Sequence, residues 1–222
     1  MTAPTTTLSK RLKAVLEKRS MLAHPFYRAW TEGTLPRERL QEYARQYYKF
    51  EAAFPRFLSA IHARTESPRI RQALLDNLWD EEHGERNHTA LWLDFAEALG
   101  IKRGEVPGAA ATPETADLLD HFHRVCAEAP VAEALATLFA YEGQVPAIAW
   151  EKIKGLTDHY GFKPDGFEFF SVHLVSDIAH AGAESDAIDE ACTDPDAVVA
   201  AAETACEKLL RFLDGCERER VA

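Results

Sequence analysis

The sequence predicts an all-α domain of seven or eight helices spanning residues 1–222, and three observations lead there. Apolar side chains recur at the helical period of 3.6 through nearly every long segment. Period-2 alternation rich in β-branched residues, the mark of half-buried strands, is missing. Punctuating residues also fall where helices would begin and end: Gly33 and Gly100 stand at stops, Pro36 at a start. The chain is long enough for one real core and short for two. It shows no internal repeat and no low-complexity tail.

Taken in order, residues 7–19 form an amphipathic first helix. The segment HPFYRAWTEG, from about residue 24, is a short helix capped by Gly33. Pro36 opens a long helix with Leu40, Tyr43, Tyr47, Phe50, Phe54, Phe57 and Ile61 on one side, and Pro55 should kink it. A second long helix is predicted over 68–99, with Leu74, Leu78, Leu91, Trp92, Phe95 and Leu99 inward. IKRGEVPGAAATPET reads as a linker, and Thr112 or Thr115 can cap the helix after it. Helices follow at 114–128, 131–155, 166–181 and 194–217, with a shorter one near 183–191.

Composition narrows the function classes. An apolar share of 46% and a charged share of 27% are those of an ordinary globular protein. A net charge of −11 argues against nucleic acid and against anionic lipid, both of which need a basic face. No stretch has the length of a signal-peptide core or a membrane span. Cys126, Cys192, Cys206 and Cys216 show no CxxC pairing, so the expectation is a protein of the reducing cytoplasm. A lone thiol such as Cys126 is more often a small packed side chain than a nucleophile.

The densest chemistry is DEEHGERNH, Asp80 to His88, placed inside a predicted helix. Glu81 and His88 are two turns apart and point within roughly 20° of each other, close to the buried stripe. Glu82, His83 and Glu85 are expected on a solvated face or just behind the ligating side chains. The second signal is HLVSDIAH, where His173, Asp177 and His180 share one face over roughly 60°. Their span of about 10.5 Å suits two ions about 3.5–4 Å apart better than one. The third is Glu142, the single charged residue between Ala134 and Trp150. A carboxylate buried there costs several kcal/mol unless paired, and that run offers no lysine or arginine. A cation from outside the chain is the economical answer. Three carboxylates and three imidazoles without a thiolate suit iron or manganese, and tolerate zinc. His62, His121, His123 and His159 read as surface or helix-end histidines.

With these residues in view, the sequence resembles the haem-oxygenase-like di-metal oxidases of the thiaminase/PqqC superfamily, and within them the CADD-like proteins. The resemblance covers nearly the whole chain: HPFYRAW, then LQEYARQYYKFEAAFPRF, then Glu81…His88, Glu142 and the HxxxDxxH of His173, Asp177 and His180. It implies a haem-oxygenase-like helical bundle with two metal ions, Fe/Fe or Mn/Fe, between its core helices. It also implies formation of para-aminobenzoate for folate synthesis by a self-sacrificing route. In that route the ring comes from Tyr27 and the amino group from Lys152, with Tyr43 and Tyr141 near the metals. Dioxygen and an external electron donor are then co-substrates, nucleic acid and membrane are not partners, and a homodimer is compatible.

Other readings remain open at this stage. The metals could act on an external amino-acid or fatty-acid-like substrate. A ferritin-like carboxylate bundle would use Glu85 in place of Glu81. A thiaminase-like hydrolase would rely on Cys126, and a pure interaction protein would need no inward ligands at all. Taken alone, Lys152 reads as a surface lysine and Tyr27 as an ordinary interface aromatic.

Overall fold

Helix starts are written into the sequence by proline and by short polar side chains. The structure, a computed structural model, describes residues 7–218. Helix α1 is Leu8–Lys18, with the Thr7 hydroxyl accepting from the Lys10 amide. Helix α2, Pro25–Thr31, is capped by His24 Nδ1, and α3 runs Arg37–Glu51. Then come α4 Phe54–Arg64, α5 Pro68–Glu82 and α6 His88–Ala98. A short α7, Glu105–Gly108, precedes α8, Pro113–Glu128. The carboxy-terminal half is α9 Val131–Glu142, α10 Val145–His159, α11 Glu168–Ala191 and α12 Pro195–Glu217. Ser67, Asn87, Thr112 and Asp194 cap α5, α6, α8 and α12 through their side chains. No strand occurs among the described residues.

Helices α9, α11 and α12 form the middle of the bundle: α9 packs on both others, α10 lies along α11, and α8 along α12. Helices α3 and α6 pair on one flank, α4 and α5 on another. One contiguous apolar core runs through these contacts. Its centre is aromatic, with Trp30, Tyr43, Trp92, Phe95 and Phe170 meeting mostly edge to face.

Four of the predicted boundaries are corrected. The helix expected over 68–99 is two, broken at residues 83–87, where Gly84 adopts φ +80°. That angle is the left-handed region open to glycine. The helix expected over 131–155 also breaks, between Glu142 and Val145, and α10 runs on to His159. Pro55 does not kink a continuous helix; it is the second residue of α4, after a break at Ala52–Ala53. In contrast, the two segments predicted at 166–181 and 183–191 are the single helix α11. The linker contains α7, so the element number exceeds the seven or eight expected.

Candidate metal centre

The break between α5 and α6 builds the first half of the site. Glu81 lies in the last turn of α5 and His88 is the first residue of α6. The expected geometry, two turns along one helix, is therefore wrong, although the pairing holds: His88 Nδ1 and Glu81 Oε2 are 3.0 Å apart. Neither atom has a hydrogen-bond partner, so the two face each other without an aligned N–H···O. Glu51, from the end of α3, and His173, from α11, complete a group of four buried residues. One donor atom from each lies within 4.8 Å of the others, a spacing that one ion could bridge. His173 Nδ1 bonds the Phe169 carbonyl at 2.7 Å, which orients the ring and leaves Nε2 for the site.

The second half follows α11. Asp177 and His180 are buried, as is Glu142 at the end of α9. The Asn77 amide donates to Glu142 Oε1 at 2.8 Å, while Glu142 Oε2, Asp177 Oδ2 and His180 Nδ1 have no partner. His180 Nε2 is held by Asp80 Oδ2 at 3.0 Å, so its other nitrogen is turned inward. A carboxylate behind an imidazole in this way fixes ring and tautomer, a common arrangement behind metal-binding histidines. All six sequence-predicted donors are thus brought to one buried zone. Glu85 and Glu82 are exposed, so the ferritin-like assignment of Glu85 places its ligand in solvent.

Two acids escaped the sequence reading. Glu51 is four residues beyond Tyr47 on the face already marked apolar, and that position was its signal. Glu184 follows His180 by four residues on α11, but the expected break at 181–183 hid it. Both are buried.

Electrostatics leave this cluster needing either protons or a counter-charge. Burial first, then neighbouring carboxylates, push Glu51, Glu81, Asp177 and Glu184 well above the usual range. Burial also raises Glu142, against opposing pulls from His180 and Asn77. Burial lowers His88 and His173, leaving them neutral, the form in which imidazole binds a metal. Buried polar atoms in folded proteins are nearly always satisfied. Seven unsatisfied oxygen and nitrogen atoms from Glu81, His88, Glu142, Asp177, His180 and Glu184 therefore suit bound metal, with hard oxygen and imidazole donors apt for iron or manganese.

Next to the donors lies a polar chain inside the aromatic core. Lys152 is 4% exposed, which corrects its reading as a surface lysine. Its Nζ donates to the Tyr43 hydroxyl at 2.7 Å, and Tyr43 shares a hydrogen bond with the Tyr27 hydroxyl at 3.0 Å. Lys152 Nζ sits 5.2 Å from the centroid of the Tyr27 ring. Burial drops the Lys152 pKa to about 7, so much of it is free amine near neutrality. Burial raises the phenols of Tyr27, Tyr43, Tyr47 and Tyr141, which stay protonated. Tyr141 and Tyr47 are hydrogen bonded through their hydroxyls. A narrow cavity of about 20 Å³ touches Tyr27, Tyr47, Tyr141, Lys152 and His173 together, room for a water-sized molecule. An open groove of about 430 Å³ reaches Glu142 and Asp177 from the far side.

Other candidates fare differently. Cys126 is fully buried and its thiol is pushed up to about 12 by burial, which leaves no thiolate nucleophile. His121, expected at the surface or a helix end, is buried on the inner side of α8. His62 and His123 are half-buried, and His159 is exposed at the end of α10. No helix among the described residues is long and apolar enough to cross a membrane.

Fold and site together define a helical bundle with a carboxylate–histidine metal cradle. Residues 41–210 match the family described as iron-containing redox enzymes, and the chain belongs to that family. A 4-aminobenzoate synthase of Nitrosomonas europaea is 45% identical, over 95% of this chain and 91% of its own. Another of that name, from Chlamydia muridarum, is 40% identical over 92% and 87%. Among solved structures, a TenA homologue from Pseudomonas syringae superposes with a TM-score of 0.82 at 16% identity, covering 97% of each chain. A domain with a haem-oxygenase-like fold from Shewanella denitrificans gives 0.79 at 20% identity, over 96% of this chain and 92% of that one. The fold is haem-oxygenase-like and all-α.

Proposed function

We propose that this chain forms 4-aminobenzoate from its own side chains, Tyr27 supplying the ring and Lys152 the amino nitrogen. Two metal ions, Fe/Fe or Mn/Fe, would be held by Glu81, His88 and His173, with Glu51 beside them, and by Glu142, Asp177 and His180. Such a pair, when bound, supplies the oxidising power of dioxygen, with electrons from an external donor. The relatives named 4-aminobenzoate synthase support the product.

The observation that carries this reading is the buried amine of Lys152, 5.2 Å from the centre of the Tyr27 ring. A lysine enclosed by aromatic rings and half deprotonated near neutrality is a nucleophile in waiting, not a structural cation. Tyr27 cannot ionise in its buried setting, so oxidising it must remove a proton along with an electron. The Tyr43 hydroxyl, 3.0 Å from that of Tyr27, is the first group in line for that proton, and Lys152 Nζ donates to the same hydroxyl at 2.7 Å. Phe26, Trp30 and Phe170 keep bulk water from this chain. The narrow cavity, about 20 Å³, has room for little more than water, which favours a ring that is already part of the wall. Each chain would then be spent after one turnover.

The open groove beside Glu142 and Asp177 favours the second reading, oxidation of an external amino-acid or fatty-acid-like substrate. Tyr27→Phe separates the two. With metals bound and dioxygen and reductant supplied, the self-sacrificing reading expects the variant to keep its metals and lose all aminobenzoate. Wild-type protein carrying ring-labelled tyrosine, in unlabelled medium, should release a labelled product. Undiminished turnover by Tyr27→Phe would transfer the chemistry to the groove.

A further inference from the structure

We infer that Glu184 is a ligand of the second metal subsite, alongside Glu142, Asp177 and His180. This rests on the metal-pair reading above and extends it. Helical geometry places Glu184 four residues past His180 and seven past Asp177, so it prolongs the donor stripe of α11 by one turn. The side chain is 4% exposed and neither carboxylate oxygen has a hydrogen-bond partner. Its surroundings are Ile70, Leu74, Leu135 and Ala187, with Asn77 and His180 as the polar exceptions, and no lysine or arginine. The Asn77 amide is already committed to Glu142.

A carboxylate so placed needs either a proton or a cation. Its charged neighbours are Glu142 and Asp177, which repel it. It lies within hydrogen-bonding reach of Glu142, so the two carboxyls, from α9 and α11, are placed to share either one proton or one cation. His180 Nδ1, also without a partner, lies 3.9 Å from Asp177 Oδ1 on the same helix, so these side chains form a second, looser donor group beside that of Glu51, Glu81, His88 and His173. Each subsite then draws four protein donors, and the charge of the five carboxylates exceeds that of two divalent ions by one.

Glu184→Gln decides between cation and proton, because glutamine reproduces a protonated carboxyl but lacks its charge. Variants and wild type would be loaded with Fe(II) or Mn(II) without oxygen, and bound metal measured by elemental analysis. The expected result is loss of one of the two ions, or an affinity lower by about 10-fold or more. Metal-free Glu184→Gln should unfold at the wild-type temperature or higher, since a repulsion has gone. Glu184→His, which restores a donor, should retain more of the second ion than Glu184→Gln. Anomalous scattering from wild-type crystals loaded with Mn(II) gives the answer without substitution, a Glu184 oxygen at roughly 2.0–2.4 Å from an ion. Both ions held by Glu184→Gln at wild-type affinity, or a Glu184 oxygen out of bonding distance, would overturn the inference and leave a protonated partner for Glu142. A wild type that binds fewer than two ions would instead sink the metal-pair reading itself.

Discussion

Lys152 shows how far a single residue's chemistry depends on what surrounds it. In sequence it is one of 25 basic side chains, and its neighbours on α10, Glu151 and Lys154, suggest an exposed face. In the structure it is enclosed by aromatic rings with the Tyr43 hydroxyl as its hydrogen-bond partner. Its pKa falls from 10.5 in the unfolded chain to about 7 when folded. Between those values the unfolded chain binds a proton that the folded chain does not, so rising pH stabilises the fold and falling pH removes that stability. Below about pH 7 the full cost of burying the ammonium is present. Lys152→Met should therefore raise the stability of the metal-free protein most near pH 6–7. The advantage over wild type should shrink by about 1.4 kcal/mol per pH unit on approach to pH 10. Urea unfolding of both proteins across that range measures it, and a pH-independent difference would contradict the burial of a titrating amine. The six donors were readable one by one because acids and histidines on apolar stripes stand out. Glu51 and Glu184 carry the same signature, and each was lost beside a boundary placed wrongly.

At the level of elements, contacts between helices decide which side chains can react together. Helix α2 carries Tyr27, α10 carries Lys152, and the two meet where Gly155 lies against Trp30. A Cβ on Gly155 would sit 2.7 Å from the Trp30 ring and 2.9 Å from its carbonyl oxygen. The Trp30 indole also donates to the Lys152 carbonyl, which ties the two helices at the reacting residues. Gly155→Ala should destabilise the fold by about 1–3 kcal/mol through overpacking. It should also lower aminobenzoate yield while leaving metal content unchanged, because the donors lie on other helices. Calorimetry, metal analysis and product mass spectrometry check the three parts. Caps and prolines made most helix starts legible, as at Pro68, Pro113 and Pro195. The interruptions at Gly84 and at Gly143–Gln144 were not, since an apolar stripe can continue across a turn that rotates its axis. Those interruptions place Glu81, His88 and Glu142 at helix ends.

For the molecule as a whole, the centre concentrates Glu51, Glu81, Glu142, Asp177 and Glu184 where water is excluded. Without cations these acids must take up protons or repel, so the metal-free protein carries a strained core and gains stability from metal. Binding of one ion at 100 times its dissociation constant adds about 2.7 kcal/mol. For a chain of this size that is a rise of roughly 5–10 °C in Tm. Thermal scans with Fe(II) or Mn(II), reversed by a chelator, would show it, and an unchanged Tm would argue against a metal in the core. The sequence by itself determined the helical class, the six inward donors and the family likeness, because period, caps and buried charge are local properties of the chain. Only the tertiary structure decided that Glu51 and Glu184 are buried beside them and that Lys152 lies over the Tyr27 ring. Contacts between residues more than a hundred positions apart depend on how helices pack, and no local pattern encodes that.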